Sequence, residues 1–483
     1  MSLNEKEFVK EVTPRAVDFS QWYIDLVLKT ELMDYAPIKG CMAIRPYGYA
    51  IWENMQQLLD KRIKATGHQN AYFPLFIPQS LLQKEAEHVE GFAPEVALVT
   101  HGGDEKLNEP LVVRPTSEAI ICSMYAKWVQ SWRDLPLLIN QWCNVVRWEK
   151  TTRPFLRTSE FLWQEGHTVH ATEEEAEEET LKMLGVYKDF VETELAVPVI
   201  SGLKTEREKF AGALKTYTIE ALMADGKALQ AGTSHNLGQH FSRVFGIQYL
   251  DTDKQLKYAW QTSWGVSTRL IGAVIMVHGD DRGLKLPPQI APVQAVIVPI
   301  ITKKKREEVF EKCRELKTKL APKTRVQLDD REGYSAGWKF NEWEMKGVPL
   351  RLEVGPRDLE RGVVTVVRRD TGEKSTIPAG ELPQRLPHIL KEIQDNLFRQ
   401  ALAFREENTH FVQNYAEFQE ILQEKMGLIK AFWCGDAACE EKIKDETKAT
   451  IRCIPLEPEQ KEKGACLFCG KENNRMVYFA RAY

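Results

Sequence analysis

Between positions 145 and 167 the chain reads VVRWEKTTRPFLRTSEFLWQEGH. Arg147 and Glu149 stand two apart, Arg157 follows, and Phe161, Trp163, Glu165 and His167 alternate behind them. Such alternation predicts two strands joined by a polar loop, with one face full of groups that are expensive to bury. Arginine and glutamate are rarely buried without a partner, and the partner expected here is a ligand. Three more stretches carry similar groups. RPTSE at 114–118 follows the apolar LVV, and QAGTSHNLGQHF at 230–241 has apolar spacing suited to a strand. QTSWGVSTRLIGAV at 261–274 sets Arg269 at the head of an apolar run that reads as a buried helix. Singly, each has a plain reading. Thr116 caps a helix with Glu118 in its first turn, His235 is a satisfied core histidine, and Arg269 is one half of a surface ion pair.

Taken together they describe a nucleotide site. Arg147, Arg157 and Arg269 are permanent cations suited to a triphosphate. Glu149 can accept from an exocyclic amine, and Phe161 offers an aromatic face to a base. No glycine-rich phosphate loop occurs, so side chains on a sheet must hold the nucleotide. A second constellation lies near the end of the chain. Cys434 and Cys439 are separated by four residues, Cys466 and Cys469 by two, and two close thiol pairs suit tetrahedral zinc. Cys453 is left over, and Cys41, Cys122, Cys143 and Cys313 are scattered. This is no secreted disulfide framework and points to a reducing cytoplasm.

The elements that must position these groups are legible in outline. A helical stripe at Ile51, Met55, Leu58, Leu59 and Ile63 is closed by Gly67, with the extended AYFPLFIP beyond it. The carboxylate run at 173–179, opened by Thr172 with Glu175 three later, reads as a capped, solvated helix face. LKLPPQIAP, near 286, marks a boundary. After it, strand and helix patterns alternate as in a compact α/β unit with a mixed sheet, closed by a long amphipathic helix from Pro383 to about Arg405. The cysteine-bearing stretch from about Glu406 reads as a third small unit, and its aromatic-rich end is expected to dock. At 483 residues the chain has room for three such units. A formal net charge of −4 provides no global field for nucleic acid, so any such contact must be a local basic patch. The opening MSLNEKEFVKEV has no apolar core, which argues against a signal peptide, and no apolar run reaches membrane-spanning length.

The pattern resembles the three signature motifs of class II aminoacyl-tRNA synthetases. The helix at 48–64 with GHQNAYFPLF is similar to motif 1, VRWE with RTSEF to motif 2, and WGVSTRLIGAV to motif 3. RPTSE, FLWQEGHT at 161–168, GTSHNLGQ at 232–239 and VGPRDLERG at 354–362 closely resemble the prolyl-tRNA synthetases of archaeal and eukaryotic type, over nearly the whole chain. Only 162–262 separates motifs 2 and 3, which leaves little room for the editing insertion of the bacterial type.

The resemblance implies an α+β catalytic domain on an antiparallel sheet (1–286), an α/β anticodon-binding domain (287–405) and a small α+β zinc-binding domain (406–483). It implies ATP, Mg2+ and a structural Zn2+ on Cys434, Cys439, Cys466 and Cys469; proline and tRNA(Pro) as partners; and a cytoplasmic homodimer joined through motif 1, away from any membrane. ATP would meet Arg147, Glu149, Arg157, Phe161, Gln230, Thr233, Ser267 and Arg269, with Arg147 and Arg269 catalytic. Proline would meet Thr116, Glu118, Arg147, Trp163, Glu165, His167, His235, Ser263 and Gly265. Arg351, Glu353 and Arg357 would read the anticodon, since arginine and carboxylate both suit a guanine edge. In the family the C-terminus reaches back, which puts Tyr483 near the site. Rival readings are a synthetase for threonine, histidine or glycine, or a paralogue that binds tRNA without catalysis. The second would be expected to have lost one of the three arginines.

Overall fold

The computed structural model describes residues 12–88, 95–302, 304–457, 463–473 and 475–483. Of the opening stretch read above for a leader, residues 1–11 lie outside them. The apolar stripe folds as helix α1 (Pro46–Ala65), with Ile51, Met55, Leu59 and Ile63 inward. It stops at Gly67, whose φ of 92° suits a residue without a Cβ. RPTSE leads into α2 (Glu118–Trp128). Thr116 does not cap this helix. Ser117 takes the N-cap position without a capping bond, because its hydroxyl is donated to Glu165 and that of Thr116 to Glu118.

The alternating stretch forms the expected antiparallel pair, β1 (Leu137–Val146) and β2 (Glu160–His170), with Val145 opposite Phe161 and Gln141 opposite Glu165. Helix α3 (Glu173–Thr193) follows, its first turn closed by a bond from the Glu175 amide to the Thr172 hydroxyl. Its carboxylates are not all solvated as the sequence suggests. Glu173, Glu174, Glu175 and Glu178 are exposed. Glu179, in contrast, is buried beside His68 and Lys182, and Glu177 holds Lys215, Tyr217 and Asn236. Positions 176, 179 and 180 fall on the helix face turned to the sheet, so periodicity overrides charge there.

The sheet continues through β3 (Val199–Leu203), β4 (Lys215–Leu222), β5 (Ala228–Gly238) and β6 (Trp260–Ser267), and the chain enters the buried helix α4 (Arg269–His278). Helices α1, α3 and α4 cover one face and build the main core with Trp264, Val266, Tyr187 and Phe190. Gly166 lets Trp264 lie across β2, for a Cβ there would stand 2.1 Å from the indole. The other face carries the alternating polar groups.

The second unit holds a five-stranded mixed sheet. Strands β7 (Ala295–Pro299), β8 (Val326–Leu328) and β9 (Leu350–Val354) are parallel, while β10 (Val363–Arg368) and β11 (Lys374–Pro378) continue the sheet antiparallel beyond β9. Helices α5 (Arg306–Leu320) and α6 (Ala336–Met345) and the short α7 (Pro356–Arg361) connect them. Helix α8 (Leu382–Glu407) closes this core with Leu386, Leu390, Ile393 and Leu397.

The last stretch has its own core, including Phe418, Ile429, Ile443 and Phe479, yet its strands extend the first sheet. Strands β12 (Thr409–Phe411) and β13 (Leu428–Phe432), helix α9 (Ala437–Thr447), and strands β14 (Thr450–Pro455) and β15 (Met476–Ala480) make it up, with a short helix at Tyr415–Glu424. The result is one eleven-stranded sheet in the order β12-β13-β15-β14-β3-β4-β5-β6-β2-β1, ending on the short strand Gln69–Asn70. At the seam Ile454 faces Leu203. A buried ionic triad locks it. Lys204 Nζ lies 2.7 Å from Glu220 Oε1, and Arg452 Nη2 lies 2.8 Å from Glu220 Oε2. Such a triad adds little net stability but fixes which strands meet, since either partner alone would leave a buried charge unpaired. Cys453, the leftover thiol, is fully buried here, packed over Gly202. Among the described residues no helix is long and apolar enough to cross a membrane.

Candidate active site

The polar face of the sheet encloses a cavity of about 340 Å3. Period-2 geometry on β2 turns Phe161, Trp163, Glu165 and His167 into it, and β6 contributes Ser263, Gly265 and Ser267. Strand β5 needs a further device, because Gln230 and His235 differ by an odd number of positions. A β-bulge supplies it: Ile219 pairs with Gly232 and Glu220 with Gln230, so Ala231 is the extra residue. Gln230, Thr233 and His235 then all reach the cavity. Thr116 and Glu118 enter from the start of α2, Arg147 from beyond the end of β1, and Arg269 from the first turn of α4.

One end is a network of carboxylates and histidines. Gln141 Nε2 donates to Glu165 Oε1 at 2.9 Å, the Ser117 hydroxyl donates to the same oxygen, and His167 Nε2 stands 3.0 Å from Oε2. Burial opposes charge on both partners. The hydrogen bonds from His167, Ser117 and Gln141 nevertheless keep Glu165 below the usual carboxylate range. The Glu165 bond and the Glu118 charge raise His167, so the two form a buried ion pair. His235 is the opposite case: burial, helped by the charge on His167, pushes it down to about 3 and keeps it neutral. Its Nδ1 lies 3.0 Å from Thr216 Oγ1. Ser263 Oγ is buried on the floor without a hydrogen-bond partner among the described residues.

The other end is cationic. Arg147 Nε donates to the Pro115 carbonyl at 2.9 Å, and its guanidinium lies 5.4 Å from the Phe161 ring centre and 5.5 Å from that of Trp163. Arg269 Nε donates to the Leu156 carbonyl at 3.2 Å. Burial, then repulsion from Arg147 and Arg157, push Arg269 down to about 10. The charges of Arg147 and Arg157 thus both act on Arg269 at the edge of the cavity, an arrangement a polyanion would relieve.

Two of the residues expected at the nucleotide do not line the cavity. Glu149 and Arg157 belong to the loop between β1 and β2, and Arg157 is exposed. Their fields do reach Arg269. Two lining residues, Glu208 and Phe210, escape the sequence reading. They sit in the β3–β4 loop, LKTEREKF, where no periodicity or motif flags them.

In the second unit Arg351 and Lys374 line a cavity of about 180 Å3 beside Arg368 and Arg369. Glu353 binds two of its cations: Arg351 Nη2 at 3.1 Å and Lys374 Nζ at 2.7 Å. Arg357 stands apart from this cavity, exposed in the first turn of α7. Tyr483 does not enter the main cavity. Its hydroxyl donates to Asp225 Oδ2 at 2.5 Å, its amide donates to the Ala228 carbonyl at 3.2 Å, and its ring lies 5.5 Å from the Arg153 guanidinium in the β1–β2 loop. Near the seam, the sulfurs of Cys434, Cys439, Cys466 and Cys469 all lie within 4.8 Å of one another. A zinc tetrahedron with bonds of about 2.3 Å has edges near 3.8 Å, and Cys434 and Cys439 are 3.6 Å apart. The set fits zinc.

Three family profiles match in succession: "tRNA synthetase class II core domain (G, H, P, S and T)" over 99–278, "Anticodon binding domain" over 294–389, and "Prolyl-tRNA synthetase, C-terminal" over 415–483. The chain is 65% identical to "Proline--tRNA ligase" of Natranaerobius thermophilus and 61% identical to that of Alkaliphilus oremlandii, in each case over 100% of both chains. The crystal structure of prolyl-tRNA synthetase from Cryptosporidium parvum, complexed with halofuginone and AMPPNP, superposes with a TM-score of 0.93 at 44% identity. It covers 98% of this chain and 99% of that one.

Proposed function

Because the chain belongs to the prolyl-tRNA synthetases of class II, a family of proline--tRNA ligases, we propose that its main cavity joins proline to ATP and then to tRNA. The observation that supports this reading is the division of one cavity into an end with Arg147 and Arg269, like charges that repel, and a pocket of carboxylate, histidine and unpaired hydroxyl. The first end suits a triphosphate and the second a small zwitterion.

The roles are those the family resemblance implies. Arg147 bridges the α-phosphate and the proline carboxylate. Arg269 and Arg157 take the outer phosphates, Phe161 stacks on adenine, Glu149 accepts from its amino group, and Gln230, Thr233 and Ser267 meet the nucleotide. Thr116 and Glu118 accept from the secondary ammonium, and Trp163 packs the ring. Ser263 and Gly265 form the floor, with His167 and His235 beside it. Glu165 acts through His167, since both of its oxygens are taken within the protein. The proline carboxylate attacks the α-phosphorus in line, a P–O bond forms, and pyrophosphate leaves. The terminal ribose hydroxyl of tRNA then attacks the prolyl carbonyl and AMP leaves. A carboxylate needs no general base, so catalysis is positioning and charge neutralisation. Mg2+ bound with ATP would supply further neutralisation of phosphate charge.

The stretch 1–286 is read as catalytic and 287–405 as reading the anticodon, with Arg351 and Glu353 at its cationic cavity and Arg357 on the adjoining helix. Residues 406–483 hold a structural zinc on four thiolates, which leave no open position for chemistry. A homodimer through motif 1 is supported by the exposed Tyr49, Tyr72 and Phe76 of that motif. The cytoplasm is its place of work. Pyrophosphate exchange measured with each of the twenty amino acids tests the reading. Proline should dominate, with smaller alanine and cysteine following weakly. Dominance by any other amino acid would overturn it.

A further inference from the structure

The β3–β4 loop brings Glu208 and Phe210 to the cavity, but its opening residues are held by helix α9 of the C-terminal stretch. Thr205 Oγ1 donates to Glu440 Oε1 at 2.7 Å, and both residues are buried, at 3% and 4% exposure. Two exposed contacts flank this bond: Arg207 Nη2 lies 3.1 Å from Glu441 Oε1, and Lys444 Nζ lies 3.3 Å from Glu208 Oε1. Exposed ion pairs hold weakly, so the buried bond is the main anchor. The Thr205 carbonyl in turn accepts from the amides of Glu208 and Lys209, at 3.1 and 2.9 Å. The turn that aims Glu208 inward therefore starts at the residue Glu440 pins. Beyond it the Phe210 ring lies 4.8 Å from the His235 ring, and the Phe210 amide donates to Thr216 Oγ1, the group that meets His235 Nδ1.

We propose that Glu440 is a positioning residue for the amino-acid end of the cavity. By holding Thr205 it fixes the loop that carries Glu208 and Phe210, so helix α9 sets the affinity for proline without touching it. This rests on the reading of that end as the proline pocket.

The test compares Glu440→Ala, Glu440→Gln, Thr205→Val and the Glu440→Ala/Thr205→Val pair in the full-length, metal-loaded enzyme, by pyrophosphate exchange with proline and ATP varied in turn. Glu440→Ala and Thr205→Val should each raise KM for proline about fivefold, with KM for ATP and kcat within about twofold of the parent. Glu440→Gln keeps an acceptor oxygen and should stay near the parent. The pair should be no worse than either single change, since both remove the same bond. An unmoved KM for proline, an equal rise in KM for ATP, or a Glu440→Gln variant as impaired as Glu440→Ala would overturn the proposal. Should Glu440→Ala fail to fold, Thr205→Val, which keeps the side-chain volume, decides alone. Glu118→Gln separates the two readings. If it raises KM for proline and the loop variants do not, only the anchor is wrong; if it leaves KM unchanged, the pocket itself is wrong.

Discussion

Arg147 and Arg157 both repel Arg269, and a phosphate bound between them would offset that repulsion. Arg147→Ala should therefore remove proline-dependent pyrophosphate exchange, a loss on the order of 2–4 kcal/mol of transition-state stabilisation. Near-normal exchange by the folded variant would exclude the phosphate assignment. The histidines make a second expectation. Burial pushes His235 down to about 3, and His170 and His278 to about 4. An unfolded chain protonates these groups from about pH 6.5 downwards while the folded chain does not, so stability falls as pH drops through that window. His167 has the opposite sign: its raised pKa stabilises the fold at low pH and ceases to do so as pH rises through its folded value. Three groups outweigh one, and the melting temperature should decline below about pH 6.5. His278→Gln can still donate to the Leu195 carbonyl that His278 meets at 3.0 Å, and should flatten that decline.

At the level of elements, Gly202 is where β14 of the C-terminal stretch meets β3. A Cβ there would stand 2.5 Å from both the Cys453 Cβ and the Ile454 carbonyl. Gly202→Ala should destabilise the protein by about 1–3 kcal/mol, read by denaturant melts. It should also loosen the last strands first, read as faster amide exchange in β14 and β15. Elements of this kind differ in how plainly a sequence declares them. The run from Phe161 to His167 was legible because strand geometry repeats every two residues and each inward position carries a costly group. The buried helix after Arg269 was legible because its apolar run is unbroken, as a helix covered on every side requires. The bulge at Ala231 was not, since one extra residue leaves no mark in composition. Glu208 and Phe210 were not, because their anchor, Glu440, stands 235 positions beyond Thr205 and no local pattern spans that distance. Glu179 misled, because a carboxylate run looks solvated until the helix face that carries it is known.

For the molecule as a whole, the two chemistries should come apart. Arg357→Ala, exposed on α7 and far along the chain from the main cavity, should leave pyrophosphate exchange intact and weaken tRNA charging, by about 1–3 kcal/mol if one guanine contact is lost. Parallel loss of both activities would unseat the division into an activating and a reading unit. The great sheet joins the activating unit to the C-terminal stretch. Lys204 Nζ donates to the carbonyl of Arg452, 248 positions away, and β15 lies inside the sheet between β13 and β14. During synthesis a chain emerges from its first residue onward, and contacts of such separation must wait for the later partner. A nascent polypeptide halted before Ala437 carries every residue that lines the cavity but none of the contacts by which helix α9 holds its loop. An enzyme that serves the ribosome would thus gain its grip on proline only when the ribosome has all but finished making it.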